Sequence, residues 1–195
     1  MADVYQRQPT LASEAITLRP LREEDAKELL RVYGDERAVP CFNGDNCHGD
    51  TFYYPTLKRM REALDFWRFS YEHGYFVRWS IVENATAQVI GTVELFDRES
   101  GAEMDAVLRL DLRWDREREE TIVAVLETLL PRVLEGFRSR TVVTKCWPHA
   151  AQRRQALEWF GFAPDSRAFV GNDGTVYGDY WRLDFPGEPG REPDA

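Results

Sequence analysis

The sequence predicts a single α/β (α+β) domain, in which a mixed, mostly antiparallel twisted sheet contains a central parallel β-α-β unit and about four helices are packed on it. Three observations carry the prediction. The stretch from Ala106 to Phe162 reads as strand, helix, strand, helix, an order that implies a parallel crossover. Two further pairs of strand-like segments, at residues 76–96 and 166–184, flank short turns and read as antiparallel hairpins. The length, 195 residues with 43% apolar content, supports one sizeable core.

The elements follow in order. A helix is predicted over Glu23 to Tyr33 and a second over Thr56 to His73. In the second, Leu57, Met60, Leu64, Trp67 and Tyr71 recur every three or four residues, so one face is apolar. Phe76 to Glu83 and Gln88 to Phe96 are strands joined by an Asn-Ala-Thr-Ala turn. The crossover comprises strand Ala106 to Leu112, helix Glu119 to Phe137, strand Thr141 to Trp147 and helix His149 to Phe160. That last helix ends at Gly161, a residue suited to a helix C-terminus. Pro131 is expected to kink or break the third helix, because proline removes a backbone donor. Ser166 to Val170 and Tyr177 to Asp184 form the last hairpin, around Gly171-Asn172-Asp173-Gly174. Residues 1–13 are expected to be a flexible N-terminus, 14–185 the domain and 186–195 a disordered tail rich in proline and glycine.

The net charge of −9 argues against a general binder of nucleic acid or anionic membrane, since such proteins need basic surfaces. No apolar run approaches the ~20 residues needed to span a bilayer. Three cysteines do not suggest a disulfide framework, and no leader-like segment opens the chain, so a cytoplasmic location is expected. An aromatic content of 13% would permit an apolar homodimer surface.

Val142-Val143-Thr144-Lys145-Cys146-Trp147-Pro148, followed by Arg153-Arg154-x-Ala156-Leu157-x-x-x-Gly161-Phe162, resembles the second half of a GNAT (N-acetyltransferase) domain, nearest its RimJ/RimL-like branch. Ile16-Thr17-Leu18-Arg19-Pro20-Leu21 with Glu23-Glu24-Asp25-Ala26 resembles that family's opening strand and the turn into its first helix. Ile90-Gly91-Thr92-Val93 stands where the family usually has an Ile-Gly step. The resemblance spans about residues 14 to 185. It implies a GNAT-like fold, acetyl-CoA as cofactor and an amine of a small molecule or peptide as acceptor.

One segment departs from the family pattern. The loop that holds the CoA pyrophosphate through backbone N–H groups falls on Asp115 to Ile122, and its two glycine positions are Arg118 and Glu120. Glycines let a ligand approach the backbone, and a helix N-terminus attracts phosphate. Here Asp115, Glu117, Glu119 and Glu120 stand against Arg113, Arg116 and Arg118. Acidic side chains stabilise a bare helix start by a few tenths to ~1 kcal/mol but would repel a diphosphate there. Arg116 and Arg118, with Arg153 and Arg154 at the start of the last helix, could instead supply guanidinium contacts to phosphate.

The resemblance implies that the Leu110 to Leu112 backbone bonds the pantetheine and that a strand carboxylate acts as base. Glu94 and Asp111 are the candidates, because a carboxylate in a half-buried strand is disfavoured unless paired or functional. The competing assignment for each is a salt bridge with Arg109, Arg113 or Arg78. The family's tyrosine acid falls on Leu157, and its helix-start Asn and Ser fall on Ala150 and Arg153. Tyr177 and Tyr180 are donors only by proximity. Cys146 is a reactive thiol or a small buried hydrophobe.

The loop Pro40 to Pro55 lies where relatives line the acceptor groove. Phe42, Phe52, Tyr53 and Tyr54 could form its wall as substrate-binding residues, or they could plug the core beneath it. Cys41, Cys47 and His48 lack the spacing and the further ligands of a zinc site, so no metal is expected. Two functions therefore stay open: an acetyl-CoA-dependent N-acetyltransferase acting on a primary amine of a small molecule or protein N-terminus, and a GNAT-fold protein that has lost acetyl-CoA binding and serves as a non-catalytic interaction module. Use of a different acyl donor ranks below both.

Overall fold

A computed structural model describes residues 4–100, 103–137, 139–167, 169–171 and 173–185. The expected tail, 186–195, lies outside them. In chain order the elements are β1 (Leu11–Ala12), β2 (Ile16–Pro20), a 3-10 turn at Glu23–Asp25, α1 (Ala26–Tyr33), α2 (Leu57–Glu72), β3 (Val77–Glu83), β4 (Gln88–Ser100), β5 (Glu103–Leu112), α3 (Glu119–Gly136), β6 (Thr141–Lys145), α4 (Ala151–Trp159), β7 (Ala163–Pro164), β8 (Phe169–Val170), β9 (Val176–Tyr177) and β10 (Tyr180–Asp184). The main sheet has the order β1-β2-β3-β4-β5-β6-β10-β7, and β8 and β9 form a separate pair. Among the described strands only β5 and β6 run parallel, which is the predicted crossover with α3 as its helix.

Strand alternation divides the main sheet into two unlike faces. Trp79, Val93 and Leu110 form one cross-strand row, and Val77, Leu95 and Leu108 another. This face packs on Ile122, Val125, Leu126 and Leu129 of α3 and on Ala156 and Leu157 of α4. The opposite face carries the rows Arg78–Glu94–Arg109 and Ser80–Thr92–Asp111. Over it lie α1, α2 and the loop between them, whose core includes Leu29, Tyr33, Phe42, Phe52, Tyr54, Leu64 and Trp67. Gly91 lies where β4 crosses β5: a Cβ there would sit 2.2 Å from the Asp111 carbonyl oxygen.

β5 pairs with β6 only from Asp105 to Leu108, where Leu108 meets Thr144. Beyond that point β5 stays with β4 as far as Leu112, while β6 ends at Lys145 against Tyr180 of β10. The two parallel strands therefore part, and the parting positions the site.

Several expectations need adjustment. α3 runs without interruption through Pro131; buried Leu126, Leu129 and Leu130 hold the turn that lacks the proline N–H. β6 stops two residues short of Trp147 because the Cys146 N–H donates to the Asp179 carbonyl, outside the ladder. The last hairpin is divided: Asp179, at φ 61°, turns the chain so that Tyr180–Asp184 joins the main sheet. Residues near the N-terminus lie along the sheet, with the Trp79 indole N–H donating to Pro9 O at 2.8 Å and Gln8 to Arg78 O at 2.8 Å. A cavity of about 890 Å³ between this segment and α3 lies on the apolar side, at Trp79 and Leu95.

The entry to α1 is held by Asp25, which accepts both Arg19 Nη donors at 2.8 and 2.7 Å, the Arg22 N–H at 3.0 Å and the Ser80 hydroxyl at 2.7 Å. Burial alone would raise the Asp25 pKa, but these donors outweigh it and hold the pKa below the usual carboxylate range. The stability this group supplies is thus present above its unfolded pKa, near 4, and is lost as pH falls through the lowered folded value. Asp25→Asn is expected to cost about 3 kcal/mol in urea unfolding at neutral pH. It should also flatten the acid limb of the stability curve below about pH 4.

Candidate active site

The charged rows converge under α1 and α2. Arg78 donates to Glu94 Oε2 from Nε at 2.9 Å and from Nη2 at 2.6 Å. Its Nη1 reaches the Tyr33 hydroxyl at 3.1 Å, Thr92 Oγ1 at 3.1 Å and Asp111 Oδ2 at 3.4 Å. The guanidinium also lies 4.2 Å from the centre of the Trp67 ring. Arg109 Nη1 donates to Glu94 Oε1 at 2.9 Å, so both oxygens of Glu94 are held by arginines.

Asp111 is bound differently. The Tyr33 hydroxyl, from the last turn of α1, donates to Oδ2 at 2.9 Å, and Oδ1 is buried without a hydrogen-bond partner. Burial pushes the Asp111 pKa up despite the opposing charge of Arg78. The Tyr33 pKa also rises, through burial and then the Asp111 charge.

The loop between α1 and α2 closes the parting between β5 and β6. Asp45 Oδ2 accepts from Lys145 Nζ at 2.5 Å and from the Tyr180 hydroxyl at 3.2 Å. Its carbonyl accepts from Arg109 Nη2 at 2.8 Å, and Asn43 donates to Tyr180 at 3.2 Å. The Lys145 ammonium also sits 3.7 Å from the Trp147 ring centre. From the other side Arg153 of α4 enters. It donates to Glu117 from Nε at 2.8 Å and Nη2 at 2.9 Å, to the Leu110 carbonyl at 2.9 Å and to the Cys41 carbonyl at 3.1 Å.

The sequence-derived candidates are distributed unevenly around this centre. Glu94 and Asp111 share the charged face. The side chains of Leu110 and Leu112 enter the α3-side core. Arg116 is engaged by Glu83 at 2.8 and 3.2 Å and by Asp115 at 2.8 Å. Arg118 is 58% exposed with a single 4.0 Å contact to Glu120. Arg153 is only 2% exposed and turned inward, whereas Arg154 is half-buried beside it. Phe42, Phe52 and Tyr54 are buried around Tyr33, and half-buried Tyr53 donates to Glu36 at 3.1 Å. Leu157 and Cys146 are core residues, and burial pushes the Cys146 thiol up to about 11. No group of three His, Cys, Asp or Glu side chains able to hold a metal occurs among the described residues.

Tyr33, Asp45 and Lys145 are not among the sequence-derived candidates, Arg78 is there only as a salt-bridge partner for Glu94 or Asp111, and Glu117 only as one of the acids of the turn before α3. Arg78 had a usable signal, a charged residue amid the apolar strand Val77–Ile81. Lys145 had the same signal in β6. Asp45 and Glu117 had none, since each lies in a polar segment and meets its partner only through the fold.

This geometry belongs to a fold with known members. Residues 15–163 match the model of the acetyltransferase (GNAT) domain, and the chain belongs to that family of acetyltransferases, whose members generally use acetyl-CoA. No curated protein matches the chain. Among solved structures it is similar to RimJ of Mycobacterium smegmatis in complex with a CoA disulfide, at 17% identity over 89% of this chain and 84% of that one, with a TM-score of 0.67. It is also similar to RimL, a ribosomal L7/L12 α-N-protein acetyltransferase in complex with coenzyme A, at 13% identity over 91% and 98% of the two chains and a TM-score of 0.68. A GNAT-family acetyltransferase from Bacillus anthracis shares 8% identity over 90% and 98%, with a TM-score of 0.67.

In the conformation described, backbone groups along the expected cofactor track are already bonded within the protein. The Leu110 carbonyl is taken by Arg153, and the Glu119 N–H at the start of α3 is taken by Gln152 Oε1 at 3.1 Å. Glu94, by contrast, is fully committed to the fold. Glu94→Gln would leave two buried guanidinium groups short of a counter-charge, and a loss of about 3–5 kcal/mol in denaturant-induced unfolding is expected.

Proposed function

We propose that this protein is an N-acetyltransferase acting on a primary amine of a small molecule or a polypeptide N-terminus, with Asp111 as the base. Family membership supports the reaction class. The observation that favours Asp111 is its buried Oδ1, the one carboxylate oxygen of the pair Glu94 and Asp111 that no protein group bonds. An amine nucleophile must lose a proton, and a carboxylate whose pKa is raised by burial accepts it better than one held by two arginines. Tyr33 fixes the Asp111 carboxylate through Oδ2 and leaves Oδ1 available. Arg78, Thr92 and Glu94 are positioning residues that keep Tyr33 and Asp111 in register. The acceptor would enter beneath the loop from Cys41 to Tyr54, and Asp45, with the Tyr180 and Trp147 rings, already holds one primary ammonium, that of Lys145. In this reading Leu157 supplies no acid, being an apolar core residue.

A deprotonated Asp111 is required, so turnover should rise as pH passes through its raised pKa, above the ordinary carboxylate value of about 4. Asp111→Asn is expected to lower kcat/KM for acetylation of a primary amine by roughly 10²–10⁴-fold and to remove that acid limb. A variant that folds and retains the wild-type pH profile would sink the assignment.

A further inference from the structure

The mismatch between the family's cofactor track and this chain has a definite structural form. Arg153 and Glu117 come from different elements, α4 and the turn before α3, yet they meet in a bidentate ion pair with side chains 3% and 8% exposed. The guanidinium spans the gap where β5 leaves β6: Nη2 bonds the Leu110 carbonyl on β5, and Nη1 bonds Cys41 O in the loop across the parting. The chain thus provides its own occupant for the gap, cationic in the strand cleft and anionic at the helix mouth.

We propose that the Arg153–Glu117 pair is a latch that seals the cofactor track, and that a CoA thioester is admitted only when the pair separates. This rests on the reading above that the chain is an N-acetyltransferase, with acetyl-CoA, which its family generally uses, as donor, and it assigns to two residues a gating role separate from catalysis. Two physical points support it. The Leu110 carbonyl lies beyond the last β5–β6 pair, so no neighbouring strand competes for it and Arg153 takes the place a ligand amide would use. Glu117 places a negative charge where a diphosphate would approach the start of α3, and that charge is neutralised only while Arg153 is docked. A ligand competing with an intramolecular pair binds in proportion to the open population, so its apparent affinity is reduced by the fraction of molecules in which the latch is open.

The test is titration calorimetry with coenzyme A, paired with thermal-shift measurement, on the wild-type chain and on the double variant Arg153→Ala/Glu117→Gln. The double variant removes both charges together and leaves neither buried alone. It should bind coenzyme A at least tenfold more tightly than the wild type. Equal or weaker binding by a folded double variant would overturn the latch, because Arg153 would then be neutral toward the ligand or a direct contact to it. Should the double variant fail to fold, Arg153→Lys keeps the charge and loses the planar fork. It should tighten binding by a smaller factor, and unchanged or weaker affinity would again overturn the proposal. The two readings fail separately: tighter coenzyme A binding without transfer to any primary amine would leave the latch and remove the acetyltransferase, whereas amine acetylation with affinity indifferent to both variants would do the reverse.

Discussion

The pairing of buried charges on one face of the sheet is the constraint on which the rest of the structure depends. The antiparallel register of β3, β4 and β5 sets Arg78, Glu94 and Arg109 side by side and places Thr92 against Asp111. Helices α1 and α2 must still cover this face to complete the domain. A lone buried charge is costly, and a pair breaks even only with good geometry and further hydrogen bonds. Each buried cation here accordingly has a carboxylate: Arg78 and Arg109 share Glu94, Lys145 has Asp45, and Arg153 has Glu117. Of the carboxylates Glu94, Asp45, Glu117 and Asp111, Asp111 is the one with a buried oxygen that lacks a hydrogen-bond partner among the described residues, which is the feature that the base proposed above uses.

A second constraint is the parting of β5 from β6. Two parallel strands that separate expose backbone acceptors on the inner edges, and a buried carbonyl needs a donor. Thr144 Oγ1 supplies one to Leu108 O at 2.9 Å, and Arg153 supplies one to Leu110 O. The loop from Cys41 to Asp45 ties the opening to β5, β6, β10 and α4 through Arg109, Lys145, Tyr180 and Arg153. The same contacts that satisfy the parting also fill it, so a ligand entering there must replace protein hydrogen bonds with its own.

What the sequence revealed follows from the range of the interactions involved. Local periodicity exposed α2, through the stripe from Leu57 to Trp67, and the strand-helix-strand order exposed the crossover. Glu94 and Asp111 stood out because a carboxylate is anomalous in a strand, and two of the three arginines considered as their partners, Arg78 and Arg109, are those found. Arg113 instead bonds Asp115 at 2.5 Å, two residues away. Arg153 was legible as a cation at a helix start but not as a buried one. Its partners Glu117, Leu110 and Cys41 are 36, 43 and 112 residues distant, and nothing local marks them. Asp45 and Lys145 are 100 residues apart, so their pairing became visible only with the fold.

The acidic turn before α3 and the inward arginine on α4 are physically one feature. Taken alone, Glu117 and Glu120 argue that the helix start repels diphosphate; taken alone, Arg153 argues for an anion site. In the folded chain the two are not in conflict, because Glu117 is the anion that Arg153 holds, while Glu120 is exposed. Under the latch proposed above, charge recognition at this helix mouth would not need the close backbone approach that glycines allow. It would be carried instead by a guanidinium that exchanges its partner, and the turn before α3 presents the Glu117 carboxylate inward to hold that guanidinium.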